Sequence, residues 1–272
     1  MNLYVSDLDG TLLNTDAKIS DKSKEYLNAA LKNNINFTVA TARTPATVVD
    51  LLEGIDIVLP VITMKGSAIY DIKNNKYLTY TTINHNLANK IKKIIDDANL
   101  NAFVYTMKDN HLFVYHNNLT NPYQINFYNE RKDSPYKTFI EDTYSEKSEI
   151  LYFTVMDSKE NIDLIYKQIR DLGDLYIAKY KDTYADDIYN LEIYSVDTSK
   201  ANAIMYLKQY YHFDRLITFG DNLNDLPMFE LSDECYAVQN AVDELKAIST
   251  ATIGLNSDDS VAKYILESSK LK

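Results

Sequence analysis

The sequence predicts an α/β fold in which a doubly wound parallel sheet is interrupted by an inserted α+β domain. Its 272 residues are enough for two domains. Strand-like and helix-like patterns alternate over the first third of the chain and again from Ser199, which favours a parallel sheet covered on both faces. Between these parts the order becomes helix-strand-strand and then strand-helix-strand-strand, which suits an open α+β sheet.

This change of pattern sets the predicted boundaries: residues 1–82 and 189–272 form a discontinuous core, and residues 83–188 form the insert. In the core we expect strand 2–6, helix 20–33, strand 37–40, helix 44–54, strands 57–59 and 61–63, a hairpin over 67–79, helix 199–210, strand 216–219, helix 226–231, strand 236–238, helix 242–248, strand 252–253 and a helix from 260. In the insert we expect helix 87–98, strands 102–107 and 111–115, a polar stretch over 117–148, strand 150–156, helix 161–172, and strands 176–179 and 188–193.

Local signals support individual elements of this prediction. In the helix over 20–33, apolar residues recur on one face. Thr44 followed by Pro45 is typical of an N-cap with proline in the first turn, so it predicts a helix start. Asn74-Asn75 lies between two short strand patterns and predicts a hairpin turn.

The segment Asp7-Leu8-Asp9-Gly10-Thr11 directly after the first strand is the strongest indication of chemistry. Residues two positions apart lie on the same face of a strand, so both carboxylates can be directed to one site at the end of the first strand. Gly10 permits the chain to turn directly after them. Two converging carboxylates raise one another's pKa unless they share a cation or one of them takes a proton. An ordinary Asx-type turn is the alternative interpretation of the same residues.

Other polar residues follow the ends of further predicted strands. Thr41 and Arg43 follow strand 37–40, the acidic segment from Asp221 to Asp225 follows strand 216–219, and Lys200 opens the preceding helix. Ligands of open α/β sheets bind at the carboxyl ends of the strands. A hydroxyl, an ammonium and a second acidic cluster are what a phosphoryl group with Mg²⁺ requires. Each residue alone also has a structural interpretation, as a cap, a turn or a solvated lysine.

Composition and charge narrow the classes of partner. A formal net charge of −11 argues against nucleic acid, because binding a phosphate backbone needs a basic face. No stretch has the length and apolarity of a bilayer span, and no leader-like apolar segment precedes the first strand. The single cysteine, Cys235, excludes an internal disulfide. We therefore expect a cytoplasmic protein without membrane or nucleic-acid partners, as a monomer or weak homo-oligomer.

With these residues in place, the chain resembles the haloacid dehalogenase superfamily of aspartate-nucleophile phosphatases, and within it the Cof-type branch with a type IIB cap. The resemblance covers the whole chain and agrees in order, spacing and position of the insert. It implies a Rossmann-like core and a mobile cap that closes over the site and contacts the substrate. The segments that carry it are Asp7-Leu8-Asp9-Gly10-Thr11, Thr41, Lys200, Gly220-Asp221-Asn222-Leu223-Asn224-Asp225 and Asn256-Ser257-Asp258-Asp259-Ser260-Val261-Ala262.

Chemistry and the resemblance assign the same roles to the two leading carboxylates. Asp7 would attack phosphorus and form an aspartyl-phosphate. Asp9 would protonate the leaving alcohol and then take a proton from water, and we expect adjacent Asp7 and partial burial to keep Asp9 protonated at the start of the cycle. Mg²⁺ would be bound by the Asp7 carboxylate, the Asp9 backbone carbonyl and Asp221.

The remaining candidates would support this chemistry. Thr41 and Lys200 would contact the phosphoryl oxygens, together with the Gly10 backbone N–H. Asp225 would orient a water or Lys200, and Asn224 would fix the loop or a ligand. Arg43 is a further candidate for substrate binding.

One departure from the family pattern bears on the site. Met64-Lys65-Gly66-Ser67 stands where the family commonly has Asn-Gly-Ala. Lys65 therefore places a cation near the predicted site, where we expect it to contact the substrate or an acidic residue of the cap. A solvated lysine at the rim is the alternative.

The implied substrate class is a small, sugar-phosphate-like phosphomonoester, and the cap is expected to select it. Its polar stretch offers Asn126, Glu130, Arg131 and Lys132 as candidates. Besides the hydrolase, two functions stay open. A phosphotransferase or mutase would use the same aspartyl-phosphate, and a non-enzymatic metabolite sensor would be expected to lack Asp7 or Asp9, although both are present.

Overall fold

The computed structural model describes residues 1–145, 147–182, 185 and 187–270, and the chain forms two compact units. The core unit comprises Met1–Thr79 and Ser199–Lys272, and the insert unit comprises Tyr80–Thr198. The predicted second boundary, between 188 and 189, is therefore too early. The reason is that the strand Ile188–Ser195 pairs on both sides with strands of the insert unit, so it cannot belong to the core sheet.

The elements follow one another in three groups along the chain. The first group is β1 (Asn2–Ser6), α1 (Asp21–Lys32), β2 (Asn36–Val39), α2 (Pro45–Leu51), β3 (Val61–Thr63), β4 (Ala68–Asp71) and β5 (Lys76–Tyr80). The second is α3 (His85–Asp97), β6 (Ala102–Lys108), β7 (His111–His116), α4 (Pro122–Asn129), β8 (Lys137–Glu141), β9 (Glu149–Ser158), α5 (Lys159–Ile169), β10 (Leu175–Lys181) and β11 (Ile188–Ser195). The third is α6 (Lys200–Tyr210), β12 (Arg215–Gly220), α7 (Leu226–Glu230), β13 (Glu234–Ala237), α8 (Asp243–Ile248), β14 (Ala251–Thr252) and α9 (Ser260–Ser269).

The core unit is built on a five-stranded sheet in the order β14-β13-β12-β1-β2, and every pairing in it is parallel. β3, β4 and β5 form a separate three-stranded sheet. The β1 strand lies in the middle of the large sheet, and its apolar residues are fully buried, as expected for a strand covered on both faces. The predicted α/β class with a parallel core sheet and an inserted α+β unit is confirmed.

The insert unit is built on a six-stranded sheet in the order β10-β11-β9-β6-β7-β8. All pairings in it are antiparallel except that of β7 with β8, which is parallel. Helices α3 and α5 contribute to an apolar core with β6, β9 and β11. Residues at odd and even positions of these strands alternate between that core and the other face of the sheet.

Two segments differ from the predicted elements. Residues 57–59 do not form a strand, and Pro60, which has no N–H to donate to a sheet ladder, follows them. The stretch 117–148, expected to lack periodic structure, contains α4 and β8. Asn121 caps α4 by accepting a hydrogen bond from the Tyr123 backbone N–H at 2.9 Å, and Pro122 occupies the first turn. Within the described ranges, no helix combines the length and the apolar composition that crossing a bilayer requires.

Candidate active site

Three adjacent parallel strands end at the same edge of the core sheet. Ser6 at the end of β1 is level with Val39 on β2 and with Phe219 on β12. The residues that follow these positions therefore lie at the carboxyl edge of the sheet, where open α/β folds bind ligands. Asp7, Thr41 and Asp221 all follow one of these strand ends.

Asp7 and Asp225 are joined by the ammonium group of Lys200. Lys200 Nζ lies 2.5 Å from Asp7 Oδ1 and 2.7 Å from Asp225 Oδ1. All three residues are buried, at 4, 0 and 4% exposure for Asp7, Asp225 and Lys200. Ser199 caps α6 by accepting a hydrogen bond from Asn202, and this fixes the helix start from which Lys200 extends. A buried charge cluster of this kind is held together by strong charge-assisted hydrogen bonds.

The buried carboxylates are difficult to ionise. Burial raises the pKa of Asp7 from 3.8 to about 8, and the neighbouring Asp225 adds to the rise while Lys200 opposes it. Burial and Asp225 also raise the pKa of Asp221, to about 6. Burial alone would lower the pKa of Lys200, but Asp225 and Asp7 outweigh it, so the pKa lies above its ordinary value. Three carboxyl groups thus share one ammonium group, which cannot balance all of them once they are ionised.

Asp221 is held beside Asp7 by the turn that follows β1. Thr11 donates a hydrogen bond from Oγ1 to Asp221 Oδ1 at 2.9 Å. Gly10 has a φ of 78°, and a Cβ added there would overlap the Asp221 carboxylate. This close approach requires glycine. Asn240 donates a hydrogen bond to the Gly10 carbonyl at 2.8 Å, which fixes the same turn from another loop.

The acidic cluster fits a divalent cation. Ligand oxygens of Asp7, Asp221 and Asp225 all lie within 4.8 Å of one another. Carboxylate oxygens are the donors that Mg²⁺ prefers, and a divalent cation would balance the negative charge that Lys200 leaves. Asp225 already accepts from Lys200 through Oδ1, and from the backbone N–H groups of Asp221 and Asn222 through Oδ2, at 3.0 and 3.3 Å. Asp7 and Asp221 are thus the carboxylates better placed to ligate an ion.

Asp9 lies outside the buried cluster. Its side chain is 50% exposed and pairs with Arg43. Arg43 Nη2 donates to Asp9 Oδ1 at 2.6 Å, and Arg43 Nε donates to Oδ2 at 2.9 Å. The chain turns at Gly10 so that Asp7 faces the buried cluster while Asp9 faces the guanidinium group. The role of Asp9 as the acid and base of the reaction stays a prediction.

Thr41 is fully buried at the end of β2. Its hydroxyl accepts a hydrogen bond from the Arg43 backbone N–H at 3.2 Å, and its carbonyl accepts one from the Lys65 N–H at 3.0 Å. Lys65 has a left-handed φ of 59°. The backbone thus joins the Lys65 segment to the Thr41 loop, while contact of Lys65 with a substrate or with an acidic cap residue stays a prediction.

The loop after β12 is fixed by different residues than expected. Asn224 is exposed, and it forms none of the described hydrogen bonds that hold this loop. Asn222 and Asp225 instead form a capping box, in which each side chain accepts from the other residue's backbone. An Asn with an acidic residue three positions later is the sequence signature of such a cap. A ligand-binding role for Asn224 stays a prediction.

The polar candidates of the insert unit lie on and just after α4. Asn126 donates a hydrogen bond to Glu130 at 2.8 Å, and Arg131 pairs with the same carboxylate at 2.6 Å. Arg131 also stacks on Phe127, with its guanidinium carbon 4.2 Å from the ring centroid. Lys132 donates to Asn129 at 3.2 Å. Local contacts therefore already engage these candidates.

Comparisons with known proteins identify the family of this chain. Residues 4–265 match the model of the haloacid dehalogenase-like hydrolase family. The chain is 28% identical to the 5-amino-6-(5-phospho-D-ribitylamino)uracil phosphatase YwtE of Bacillus subtilis, over 97% of each protein. It is 27% identical to a putative phosphatase of Buchnera aphidicola, over 97% of this chain and 96% of the relative.

Solved structures share the fold at low sequence identity. The crystal structure of TM0651 from Thermotoga maritima has a TM-score of 0.77 at 22% identity, over 98% of this chain and 96% of the other. The structure of BT4131, described as a subclass IIB sugar phosphatase of the HAD superfamily, has a TM-score of 0.73 at 16% identity and covers 98% of both chains. With the family match over nearly the whole sequence, the predicted resemblance is confirmed: the chain belongs to the haloacid dehalogenase-like hydrolase family and is an enzyme of the phosphatase type.

Proposed function

We propose that this enzyme is a Mg²⁺-dependent phosphomonoester hydrolase that works through an aspartyl-phosphate on Asp7. The observation that carries the proposal is the buried cluster in which Lys200 joins Asp7 to Asp225 beside Asp221. Asp7 lies at the carboxyl end of a central strand, which is a rigid support for a nucleophile. Asp7 and Asp221, with the Asp9 backbone carbonyl, would hold Mg²⁺, and the bound ion would neutralise charge on the phosphoryl oxygens.

The steps follow from the side chains. An oxygen of Asp7 attacks phosphorus while the bond from phosphorus to the ester oxygen breaks, and Asp9 gives its proton to the departing alcohol. Water then attacks the aspartyl-phosphate, its proton passes to Asp9, and phosphate leaves Asp7 as a free carboxylate. For both proton transfers an Asp9 oxygen must turn from Arg43 towards the reacting oxygen. Lys200 and the Thr41 hydroxyl would bind phosphoryl oxygens throughout.

For the substrate we propose a small phosphorylated metabolite, with the insert unit acting as the cap that selects it. Three of the relatives are named 5-amino-6-(5-phospho-D-ribitylamino)uracil phosphatases. This compound therefore belongs in the substrate panel beside sugar phosphates. A phosphotransferase would use the same intermediate, and it would be distinguished by transfer of the phosphoryl group to an added sugar rather than to water.

The test is steady release of phosphate from p-nitrophenyl phosphate and the metabolite panel, with and without Mg²⁺. We expect Asp7→Asn to abolish turnover and Asp9→Asn to lower kcat by about 10² to 10⁴-fold, the range for losing a general acid. Asp50→Asn, on the exposed surface of α2, is the matched control and should keep wild-type rates. Mass spectrometry after an acid quench should detect one added phosphoryl group, located on Asp7. Absence of turnover of every ester by the wild-type enzyme would refute the hydrolase.

A further inference from the structure

The insert unit contains a buried lysine that the proposed chemistry does not use. Lys137 is the first residue of β8 and is only 4% exposed. Lys137 is level with Leu112 on β7. Two positions further along both strands, Phe139 on β8 is level with Val114 on β7. These side chains therefore lie on one face of the sheet. The apolar core formed with α3 and α5 involves residues of the opposite face, such as Val104.

Aromatic rings surround the Lys137 ammonium group. Its Nζ lies 5.2 Å from the centroid of Phe139 and 5.9 Å from the centroids of Phe127 and Tyr105. Among the residues that the structure describes, Lys137 has no hydrogen-bond acceptor and no carboxylate partner. Ring faces attract a cation but accept none of its three N–H donors in the way that oxygen does. The ammonium group is thus largely buried without a carboxylate in contact with it.

A comparison with Lys200 shows which kind of partner Lys137 lacks. Both lysines are 4% exposed, yet Lys200 contacts two carboxylates, whereas rings surround Lys137 and no carboxylate in the described part of the chain pairs with it. A buried charge without a partner costs several kcal/mol in general, so buried lysines in proteins are normally paired. Burial and the nearby Arg131 accordingly lower the pKa of Lys137 from 10.5 to about 8.

Arg131 adds a second cation to the same place. It stacks on Phe127, one of the rings around Lys137, and its side chain is 36% exposed, so it connects this region with solvent. Glu130 balances Arg131, since its carboxylate lies 2.6 Å from the guanidinium group, but it is not a described partner of Lys137. Burial and Glu192 raise the pKa of the neighbouring Tyr105, but no carboxylate of the described residues contacts the Lys137 ammonium group.

We propose that Lys137, with Arg131 and the rings of Phe127, Phe139 and Tyr105, forms a binding site for an anionic group of a small molecule, either a carboxylate or a phosphate. The anion would accept hydrogen bonds from the Lys137 ammonium group, as the carboxylates of Asp7 and Asp225 do from Lys200. The site stands on the insert unit alone and does not depend on the proposed reaction. The anion could belong to the hydrolysed substrate, as a second charged group, or to a separate effector.

Direct binding is measured at Lys137 itself. The side-chain ¹H–¹³C NMR signal of Lys137 is identified by its loss in Lys137→Met, a variant that replaces the cation with an apolar chain suited to this surrounding. We expect inorganic phosphate and malonate, each titrated without Mg²⁺, to shift this signal with saturation at about 1 to 10 mM, a range typical of one charged contact. The signal of Lys167, which is exposed on α5 and is removed in the control Lys167→Met, should not move. No shift of the Lys137 signal up to about 100 mM of either anion overturns the site.

Kinetics distinguish the two sources of the anion. If it is part of the substrate, Lys137→Met should raise KM about 10 to 100-fold for phosphate esters that carry a second phosphate or a carboxylate, since a hydrogen bond to a charged group is lost. KM for p-nitrophenyl phosphate should stay unchanged. If the Lys137 signal shifts but no KM changes, the anion is a separate effector, and the site stands. Failure of the proposed hydrolase is seen separately, as absent turnover in the wild-type enzyme.

Discussion

Lys200 is the residue on which the charge balance of the active site depends. It is buried between two buried carboxylates, at 2.5 and 2.7 Å. The chain also contains an exposed pair of the same chemical type, Lys93 with Asp97, whose side chains are 74 and 65% exposed. Breaking a buried pair leaves charge without solvent or a partner, whereas breaking an exposed pair lets water replace it.

We therefore expect Lys200→Met to lower the free energy of unfolding by about 3 to 5 kcal/mol at pH 8, and Lys93→Met by less than about 1 kcal/mol. The loss in Lys200→Met should grow as the pH is raised above about 8, because Asp7 then ionises beside Lys200 in the wild type, whereas its pKa moves higher still without that ammonium group. Urea denaturation of the metal-free proteins measures both effects. Equal losses in the two variants would contradict this account of Lys200.

Lys137 should make stability depend on pH in the opposite direction to an ordinary paired lysine. Its pKa is lowered to about 8 in the folded protein and returns towards 10.5 on unfolding. Between these values the unfolded chain binds more protons, so the free energy of unfolding contributed by Lys137 rises with pH. Below about pH 8 the penalty for burying the charge is complete.

The expected result is that Lys137→Met is more stable than the wild type at pH 7, and that this advantage declines as the pH is raised from 8 towards 10.5. Comparing the two proteins at each pH cancels the tyrosines that titrate in the same range. Chemical denaturation without added phosphate or other multivalent anion provides the measurement. An advantage that stays constant over this range would show that Lys137 has an ordinary pKa.

At the scale of elements, the segment Met64–Gly66 positions two parts of the active site. Its three residues have consecutive positive φ angles of 51, 59 and 96°. The Met64 and Lys65 N–H groups donate to the carbonyls of Arg43 and Thr41, at 2.9 and 3.0 Å. On its other side, a Cβ at Gly66 would overlap the carbonyl group of Ser199, directly before Lys200. The segment thus lies between the Thr41 loop and the start of α6, and it fixes the distance between them.

Gly66→Ala should displace Ser199 and with it Lys200, so we expect kcat to fall at least about tenfold, as for small misplacements of reacting groups. Gly173→Ala is a matched control, since Gly173 also has a positive φ, 73°, but an added Cβ meets no atom within 4 Å. Its φ of 73° with a ψ of 175° is a conformation that other residues rarely adopt, so Gly173→Ala should cost about 1 to 3 kcal/mol of stability and leave kcat unchanged. In both variants, the rate of phosphate release reports displacement of Lys200, and thermal unfolding reports the cost of backbone strain. Equal kcat values would show that Gly66 has no positioning role.

The sequence allowed the core elements to be predicted more completely than those of the insert unit. Alternating patterns located β1, β2 and β12 and hence the edge where Asp7, Thr41 and Asp221 stand, because strand ends follow from local pattern. In the insert unit α4 was missed, although Asn121-Pro122 carries the same start signal as Thr44-Pro45. The helix itself has little amphipathic pattern, since aromatic and polar residues are mixed along it.

Which way a side chain faces was harder to predict than where it stands. Asp9 was expected to be partly buried and adjacent to Asp7, but the turn at Gly10 directs it to Arg43, and no local pattern specifies that direction. Lys137 was not singled out at all. Its burial depends on contacts with Tyr105, on a neighbouring part of the sheet, and with Phe127 on α4, and these form only in the folded unit.

At the scale of the whole molecule, the active site is assembled from both ends of the chain. Lys200 contacts Asp7 across a sequence separation of 193 residues, because the insert unit lies between them in the sequence. β1 from the first segment pairs directly with β12 from the last. A ligand that bridges Asp7 and Asp221 therefore ties these two strands together and should stabilise the core unit as a whole.

We expect Mg²⁺ to slow hydrogen exchange of the most protected amides of β1 and β12, and to leave those of β9 and β11 in the insert unit much less affected. An ion present at 100 times its Kd adds about 2.7 kcal/mol to the free energy of unfolding, and this gain belongs to the unit that holds it. Burial raises the pKa of Asp221 to about 6 and that of Asp7 to about 8, so both must lose protons to ligate the ion. The protection should therefore be larger at pH 8 than at pH 6.

Hydrogen exchange with mass spectrometry or NMR, at a fixed Mg²⁺ concentration, resolves the two units. Asp221→Asn should remove the added protection in β1, because the remaining carboxylate of Asp7 then faces an amide with no charge to offer the ion. Asp243→Asn, on an exposed part of α8 in the same unit, is the control and should respond to Mg²⁺ as the wild type does. Two results would contradict an ion bound between β1 and β12. One is equal added protection in β9, and the other is added protection in β1 that survives Asp221→Asn.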